Sequence, residues 1–174
     1  MVEKKSFIDK ILPHKNMVIF DMIVLAILQV LVFFLPIATY VYQRKLYSIK
    51  GIRFLTGASI MKGKVTLEPN MAAVLMVAVA ALLVIVSISF IKVKAKYAGT
   101  TMLILSVAEF VLAITFSKNV VKTLSAAKGK EVALLTASIL MVGIATLMLI
   151  RSFHILYKNK TVGPLDFMAL PCAL

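Results

Sequence analysis

The sequence predicts an all-α membrane protein with four transmembrane helices and a small extracellular β-hairpin-like loop between helices 1 and 2. Two observations support this fold class. Hydrophobic residues make up 61% of the 174 residues, against about 45–50% in a typical soluble domain, and the mean hydropathy is +1.01. In addition, several apolar runs are long enough to cross a bilayer, which takes about 20 residues at 1.5 Å each.

The predicted organisation follows from where these runs begin and end. The chain divides into a cytoplasmic N-terminus, a four-helix membrane domain and a tail, at residues 1–16, 17–157 and 158–174. The spans predicted within the domain are residues 17–42, 71–91, 98–117 and 132–150, and the last can run on toward Tyr157. The first apolar run is too long for the core of a signal peptide, so it is interpreted as a retained membrane helix.

The loop from residue 43 to residue 70 is too polar to span the membrane. Pro36, near the end of the first span, indicates that the helix weakens there. Beyond it, TYVYQRKLY can pair as a strand with SIKGIRFLTG, because both are rich in residues that favour strands. The alternative is an amphipathic segment on the lipid surface. In that alternative, apolar side chains enter the bilayer and basic ones meet the headgroups, namely Ile49, Ile52, Phe54 and Leu55, with Lys50 and Arg53.

The charge balance predicts a membrane setting and an orientation. The 20 lysines and arginines far outnumber the 7 acidic residues, and they flank the apolar runs, where they would meet anionic lipid headgroups. No RNA- or DNA-binding pattern accompanies them, so nucleic acid is not an expected partner. Basic residues near the helix ends number 10 on each side. Lys92, Lys94 and Lys96 crowd one short turn, which favours cytoplasmic placement of that turn and of both termini.

Three polar side chains within the spans are candidates for function, because ionisable groups are costly in the membrane. Glu109 and Gln29 fall near the middle of their spans, so a protonated Glu109 could donate a hydrogen bond to the Gln29 amide. Such a packing bond, worth about 0.6–2 kcal/mol, is favoured over proton or cation coupling because no second buried acid or histidine is present. Asp21 is interpreted as an interfacial contact, within reach of Lys15 or Lys92 by snorkelling.

Residue types that carry catalysis or hold metals are sparse. Cys172 is the only cysteine, and the two histidines, His14 and His154, lie far apart in the sequence. The sequence contains no nucleophile–base pair, no glycine-rich phosphate loop and no paired carboxylates. We therefore expect neither an enzyme, nor a cofactor, nor a metal site.

The stretch FLPIATYVY…YSIKGIRFLTG resembles a pattern found in many small bacterial four-helix membrane proteins. In these proteins, FLP followed by an aromatic or aliphatic residue closes the first span, and an SGxxLLTG-like strand follows outside. Leu35–Pro36 and Phe54–Gly57 carry the match, whereas Lys50 replaces the usual small residue before Gly51. The resemblance implies a claudin-like outline in the bacterial plasma membrane, with a small extracellular sheet on a four-helix bundle.

The tail, YKNKTVGPLDFMALPCAL, resembles the entry to the membrane core of a binding-protein-dependent sugar ABC transporter permease. Lys158 and Lys160 supply the basic flank, and Leu170–Pro171 supplies the Leu-Pro pair that opens a helix in such permeases. The resemblance implies the N-terminal extension of a permease, with other importer subunits as partners. The simpler alternative is an amphipathic tail.

Three functions are therefore expected, in decreasing order. The first is a scaffold or docking part of a sugar ABC importer permease. The second is a stand-alone claudin-like envelope protein that acts through its outer loop. The third is a small proton-coupled carrier that uses Glu109.

Overall fold

The computed structural model describes residues 15–42, 44–60, 65–92, 98–126 and 130–158. Most of these residues are helical. The helices are α1 (Lys15–Val32), α2 (Ile52–Thr56), α3 (Met71–Lys92), α4 (Ala98–Ala126) and α5 (Thr136–Lys158). The strands are β1 (Pro36–Tyr42), β2 (Lys45–Lys50), β3 (Ala58–Ile60), β4 (Val65–Leu67) and β5 (Lys130–Leu134).

The four long helices form a closed bundle. Helix α1 packs against α3 and α5, and α4 packs against the same two helices, so α1 and α4 face each other diagonally. Three stretches are long and apolar enough to cross a membrane, namely Met71–Phe90, Gly99–Ser125 and Thr136–Leu156, and Val18–Val32 is a shorter apolar helix. By length and composition, these helices fit a multi-pass membrane protein.

The outside of the bundle is apolar on all four long helices. Large apolar side chains are exposed on each, for example Phe20, Met71, Ile104 and Ile139, whose exposure ranges from 61% to 69%. Among the described residues, the buried polar side chains are Gln29, Ser87, Ser106, Glu109, Ser138 and Ser152. A soluble bundle places polar residues outward, so this inward placement matches a bundle that has lipid as its solvent.

A three-stranded sheet covers the end of the bundle where α1 finishes and α5 begins. Its order is β2-β1-β5, with both pairs antiparallel, and Thr39 at its centre faces Ser48 on one side and Ala133 on the other. The Ile37 carbonyl accepts hydrogen bonds from the Leu135 N–H and the Ser138 hydroxyl, both at 2.9 Å. These bonds attach the central strand directly to the start of α5. A separate two-stranded hairpin consists of β3 and β4.

The first predicted span is wrong at its C-terminal end. Helix α1 stops at Val32, and Pro36–Tyr42 forms the central strand instead of a last helical turn. Proline cannot supply the N–H that a helix interior needs. The apolar PIATYVY segment satisfies its backbone by pairing on both sides, as its β-favouring side chains allow.

Both alternatives for the following loop also need correction. Strand β1 pairs with KLYSIK, with Tyr42 opposite Lys45, so only the SIK part of the predicted partner SIKGIRFLTG belongs to the second strand. The IRFLT segment forms the short helix α2. The alternative of a segment lying on the lipid surface is wrong for two of the side chains predicted to enter the bilayer. Ile49 is only 2% exposed and Phe54 only 1%. Both side chains are buried within the protein.

The remaining spans are predicted with mixed success. Helix α3 matches residues 71–91 to within one residue, and α4 begins at Ala98 as predicted but continues to Ala126. The prediction of a helix from residue 132 is wrong, because Lys130–Leu134 is strand β5 and α5 starts at Thr136. The predicted extension of this helix toward Tyr157 is confirmed, because α5 ends at Lys158. The fold is therefore mostly helical but not all-α. Residues 1–14 and the tail after Lys158 lie outside the described residues.

Gly51 joins the sheet to the short helix α2 at a point of close backbone contact. Its N–H donates to the Leu35 carbonyl at 3.1 Å, and the N–H of Ile52 donates to the Phe33 carbonyl at 2.6 Å. A Cβ atom at Gly51 would lie 2.8 Å from the Phe33 Cα and 2.9 Å from the Phe33 oxygen. Only glycine lets the two backbone segments approach this closely.

Candidate functional site

Two polar side chains meet at the centre of the bundle. Gln29 lies on α1 and Glu109 on α4, the helices that face each other diagonally, and both residues have no exposed surface. The Glu109 carboxyl lies against the Gln29 side chain. None of their four polar atoms makes a hydrogen bond of ordinary length and angle, however. We call Gln29 and Glu109 the central polar pair.

The chemistry of the central polar pair follows from its burial. Glu109 forms no ion pair with any residue that the structure describes, and a charged carboxylate is costly at membrane depth. The neutral carboxylic acid retains one O–H donor, which suits the carbonyl oxygen of Gln29. A small side-chain movement would make this bond and satisfy two of the four atoms. The pair can therefore hold one proton and connect diagonal helices.

A second buried polar contact joins neighbouring helices. The Ser106 hydroxyl on α4 and the Ser152 hydroxyl on α5 are 2.6 Å apart. Ser152 also lies 2.8 Å from the Met148 carbonyl of its own helix. Because each hydroxyl carries a single hydrogen, both bonds form together when Ser106 donates to Ser152 and Ser152 donates to Met148. This contact fixes the packing of α4 on α5.

Asp21 lies in an ion pair at the end of the bundle opposite the sheet. Its Oδ2 is 3.2 Å from Nη2 of Arg151 on α5, and the two side chains are 30% and 39% exposed. Partly exposed pairs of this kind contribute about 0.2–1 kcal/mol. The sequence analysis proposed Lys15 or Lys92 as the partner of Asp21. It missed Arg151 because the predicted fourth span ended at residue 150, one residue before it. The signal was present in the apolar run that continues beyond Arg151.

The sheet presents a different surface. The inner ring of Tyr40 stacks on Tyr47 at 5.4 Å, and burial raises the pKa of the Tyr40 phenol, with Tyr47 adding to the effect and Arg53 opposing it. Arg44, Lys45 and Leu46, which we call the hairpin tip of β1 and β2, are by contrast exposed. Leu46 is 71% exposed, the largest value for any large apolar side chain in the described part of the chain.

Within the described ranges, no group of three or more histidine, cysteine, aspartate or glutamate side chains could hold a metal ion. His14 and Cys172 lie outside those ranges. No protein-family model, no curated protein and no solved structure matches this chain. The function must therefore be inferred from the bundle, its central polar pair and the sheet.

Proposed function

We propose that this chain is a multi-pass membrane module that serves as a scaffold or docking surface through its sheet-bearing end. The observation that supports the proposal is the pairing of β5 with β1. Strand β5 comes from the connection before α5, so the sheet joins two distant connections of the chain. A sheet held in this way keeps its shape, as a docking surface requires.

The packed centre of the bundle supports a scaffold more than a transport path. Large side chains on all four long helices are fully buried there, including Met22, Met76, Met102 and Met148. Among the residues whose burial the structure describes, Glu109 is the only buried acidic side chain. A relay of protons needs further groups that can exchange them. The carrier function therefore has less support than the docking function.

We further propose that the sheet lies on the outer side of a bacterial plasma membrane, with both termini in the cytoplasm. The basic turn Lys92–Lys96 supports this orientation. In a Cys172→Ala background, Lys50→Cys is expected to react with an impermeant thiol reagent in intact cells, whereas Lys94→Cys should react only after permeabilisation. Reaction at position 94 alone in intact cells would invert the orientation.

The proposed partner is another subunit of a sugar ABC importer, and support for it comes from the tail sequence around Leu170–Pro171. A stand-alone claudin-like envelope protein is the alternative. The sheet itself supports both, because each would dock through an exposed outer end. The identity of the protein that binds the hairpin tip distinguishes the permease module from the stand-alone envelope protein.

The hairpin tip is the best place to test docking. A photo-crosslinking amino acid at Leu46 is expected to give one discrete protein adduct in cell membranes, because this apolar side chain is exposed at the sheet end. The same group at Ile104, which is 64% exposed on a lipid-facing surface, is the matched control and should give no discrete protein adduct. Mass spectrometry then identifies the captured protein.

Each outcome of the crosslinking experiment decides between the functions. An adduct at Leu46 that contains an importer subunit supports the permease module. An adduct of two copies of this chain supports the stand-alone envelope protein. The absence of any protein adduct at Leu46 would contradict a docking function for the hairpin tip.

A further inference from the structure

A cleft of about 600 Å³ opens beside β4, between the segment before α3 and the last part of α4. Glu68, in the connection between β4 and α3, lines one wall of the cleft, and Asn119, Lys122 and Thr123 of α4 line the other. This volume falls within the range of about 300–1,000 Å³ that is usual for small-molecule sites. The central polar pair takes no part in it.

Neither charge in the cleft forms an ion pair with another residue that the structure describes. Both Glu68 and Lys122 are exposed, and the ion pair found among the described residues is instead the one between Asp21 and Arg151. An acid and a base that line one cleft without contacting each other suit a ligand that carries both charges. A phosphate would meet the lysine ammonium, and a primary ammonium would meet the carboxylate.

The position of the cleft indicates that its ligand also has an apolar part. Met71 lines the cleft and is 68% exposed. Val74 and Leu75, one turn further along α3, are exposed as well. An apolar surface therefore begins at the cleft and continues along the lipid-facing side of the bundle. A water-soluble zwitterion would leave this surface unused, whereas acyl chains would cover it.

We propose that this cleft binds the headgroup of a zwitterionic phospholipid with a primary ammonium, of the phosphoethanolamine class. Lys122 binds the phosphate and Glu68 accepts hydrogen bonds from the ammonium. Asn119 and Thr123 offer further donors to phosphate or ester oxygens. A quaternary choline ammonium cannot donate hydrogen bonds, and a glycerol headgroup has no cation for Glu68, so lipids of both classes should bind less tightly.

The test uses the purified, delipidated full-length chain in mild detergent and measures the binding of short-chain lipids by native mass spectrometry. We expect dihexanoyl phosphatidylethanolamine to bind about three- to tenfold more tightly than the matched phosphatidylcholine or phosphatidylglycerol. This is the size of effect expected from one additional ion pair that is partly exposed to water. Free phosphoethanolamine, which has the same headgroup without acyl chains, should bind more weakly than the lipid.

Three variants assign the preference to this cleft. Glu68→Gln should reduce the phosphatidylethanolamine affinity to that of the other two lipids, and Lys122→Gln should weaken all three. Lys118→Gln is the matched control, because Lys118 lies one turn away on α4 but lines a separate groove. All three side chains are exposed, so the melting temperature without lipid should not change.

Three results would overturn the proposal. Equal affinities for the three lipids in the unchanged protein would exclude recognition of the primary ammonium. Free phosphoethanolamine binding as tightly as its lipid would assign the cleft to a soluble zwitterion instead of a membrane lipid. A phosphatidylethanolamine preference that survives Glu68→Gln, or lipid affinities that Lys122→Gln leaves unchanged, would place the lipid site elsewhere.

Discussion

Gly51→Ala is expected to lower the free energy of unfolding by about 2–4 kcal/mol. The added Cβ would lie 2.8 Å from the Phe33 Cα, a backbone atom that cannot rotate away. Phe33 is itself held by Phe116, whose ring centroid is 5.5 Å from its own. The substitution must therefore separate the hairpin from the end of α1. Thermal denaturation in detergent measures the loss.

Gly143→Ala is the matched control for this prediction. Gly143 lies in α5, and nothing stands within 4 Å of a Cβ placed there. In a helix interior, alanine is more favourable than glycine by about 0.5–1 kcal/mol, so this variant should be as stable as the unchanged protein or slightly more stable. If the Gly51→Ala and Gly143→Ala proteins have the same melting temperature, the close backbone contact at Gly51 is absent.

Glu109→Leu is expected to destabilise the bundle by about 1–3 kcal/mol, because it leaves the buried Gln29 amide without the neighbouring carboxyl group. Gln29→Leu should cost a similar amount by isolating the carboxyl. The double variant, with leucine at both positions, should recover most of the loss, because replacing both partners removes the cost of an unsatisfied group. Glu109→Gln keeps a donor and an acceptor and should change stability little.

The same variants separate a packing role from a transport role. Losses from the two single variants that simply add in the double variant would show that Gln29 and Glu109 are not coupled. Proton-coupled uptake in reconstituted vesicles that is present in the unchanged protein and absent in Glu109→Gln would replace the docking function with the carrier function. With a packing role, the Glu109→Gln protein should behave as the unchanged protein in that assay.

The sequence predicts the long helices better than the elements at their ends. Helix α3 was located to within one residue because its apolar run holds no charge and begins directly after Asn70, whose side chain caps the helix through the Ala72 N–H at 3.0 Å. The end of α4 was placed too early because Lys118 indicates a membrane boundary. The helix continues beyond it, since Leu124, one of its last residues, is buried by the rest of the fold.

Strand β1 and the central polar pair show where sequence reasoning reaches its limit. The PIATYVY segment is apolar enough to extend a helix, and only its pairing with β5, far along the chain, makes it the middle of a sheet. Counting residues placed Gln29 and Glu109 near mid-span. Their meeting across the bundle depends on the order in which the helices pack, which no local pattern encodes. The cleft with Glu68 and Lys122 was missed for the same reason.

The position of β5 also constrains how the protein can be made. The Ser138 hydroxyl bonds the Ile37 carbonyl across 101 positions of sequence, so a ribosome completes the β1–β2 hairpin long before it delivers the third strand. Throughout that interval one edge of β1 is open, and an open edge can recruit a strand from another chain. The sheet closes only after α3 and α4 have been synthesised and have brought β5 to the correct end. Completion of the sheet therefore requires that α3 and α4 have packed so that β5 lies beside β1.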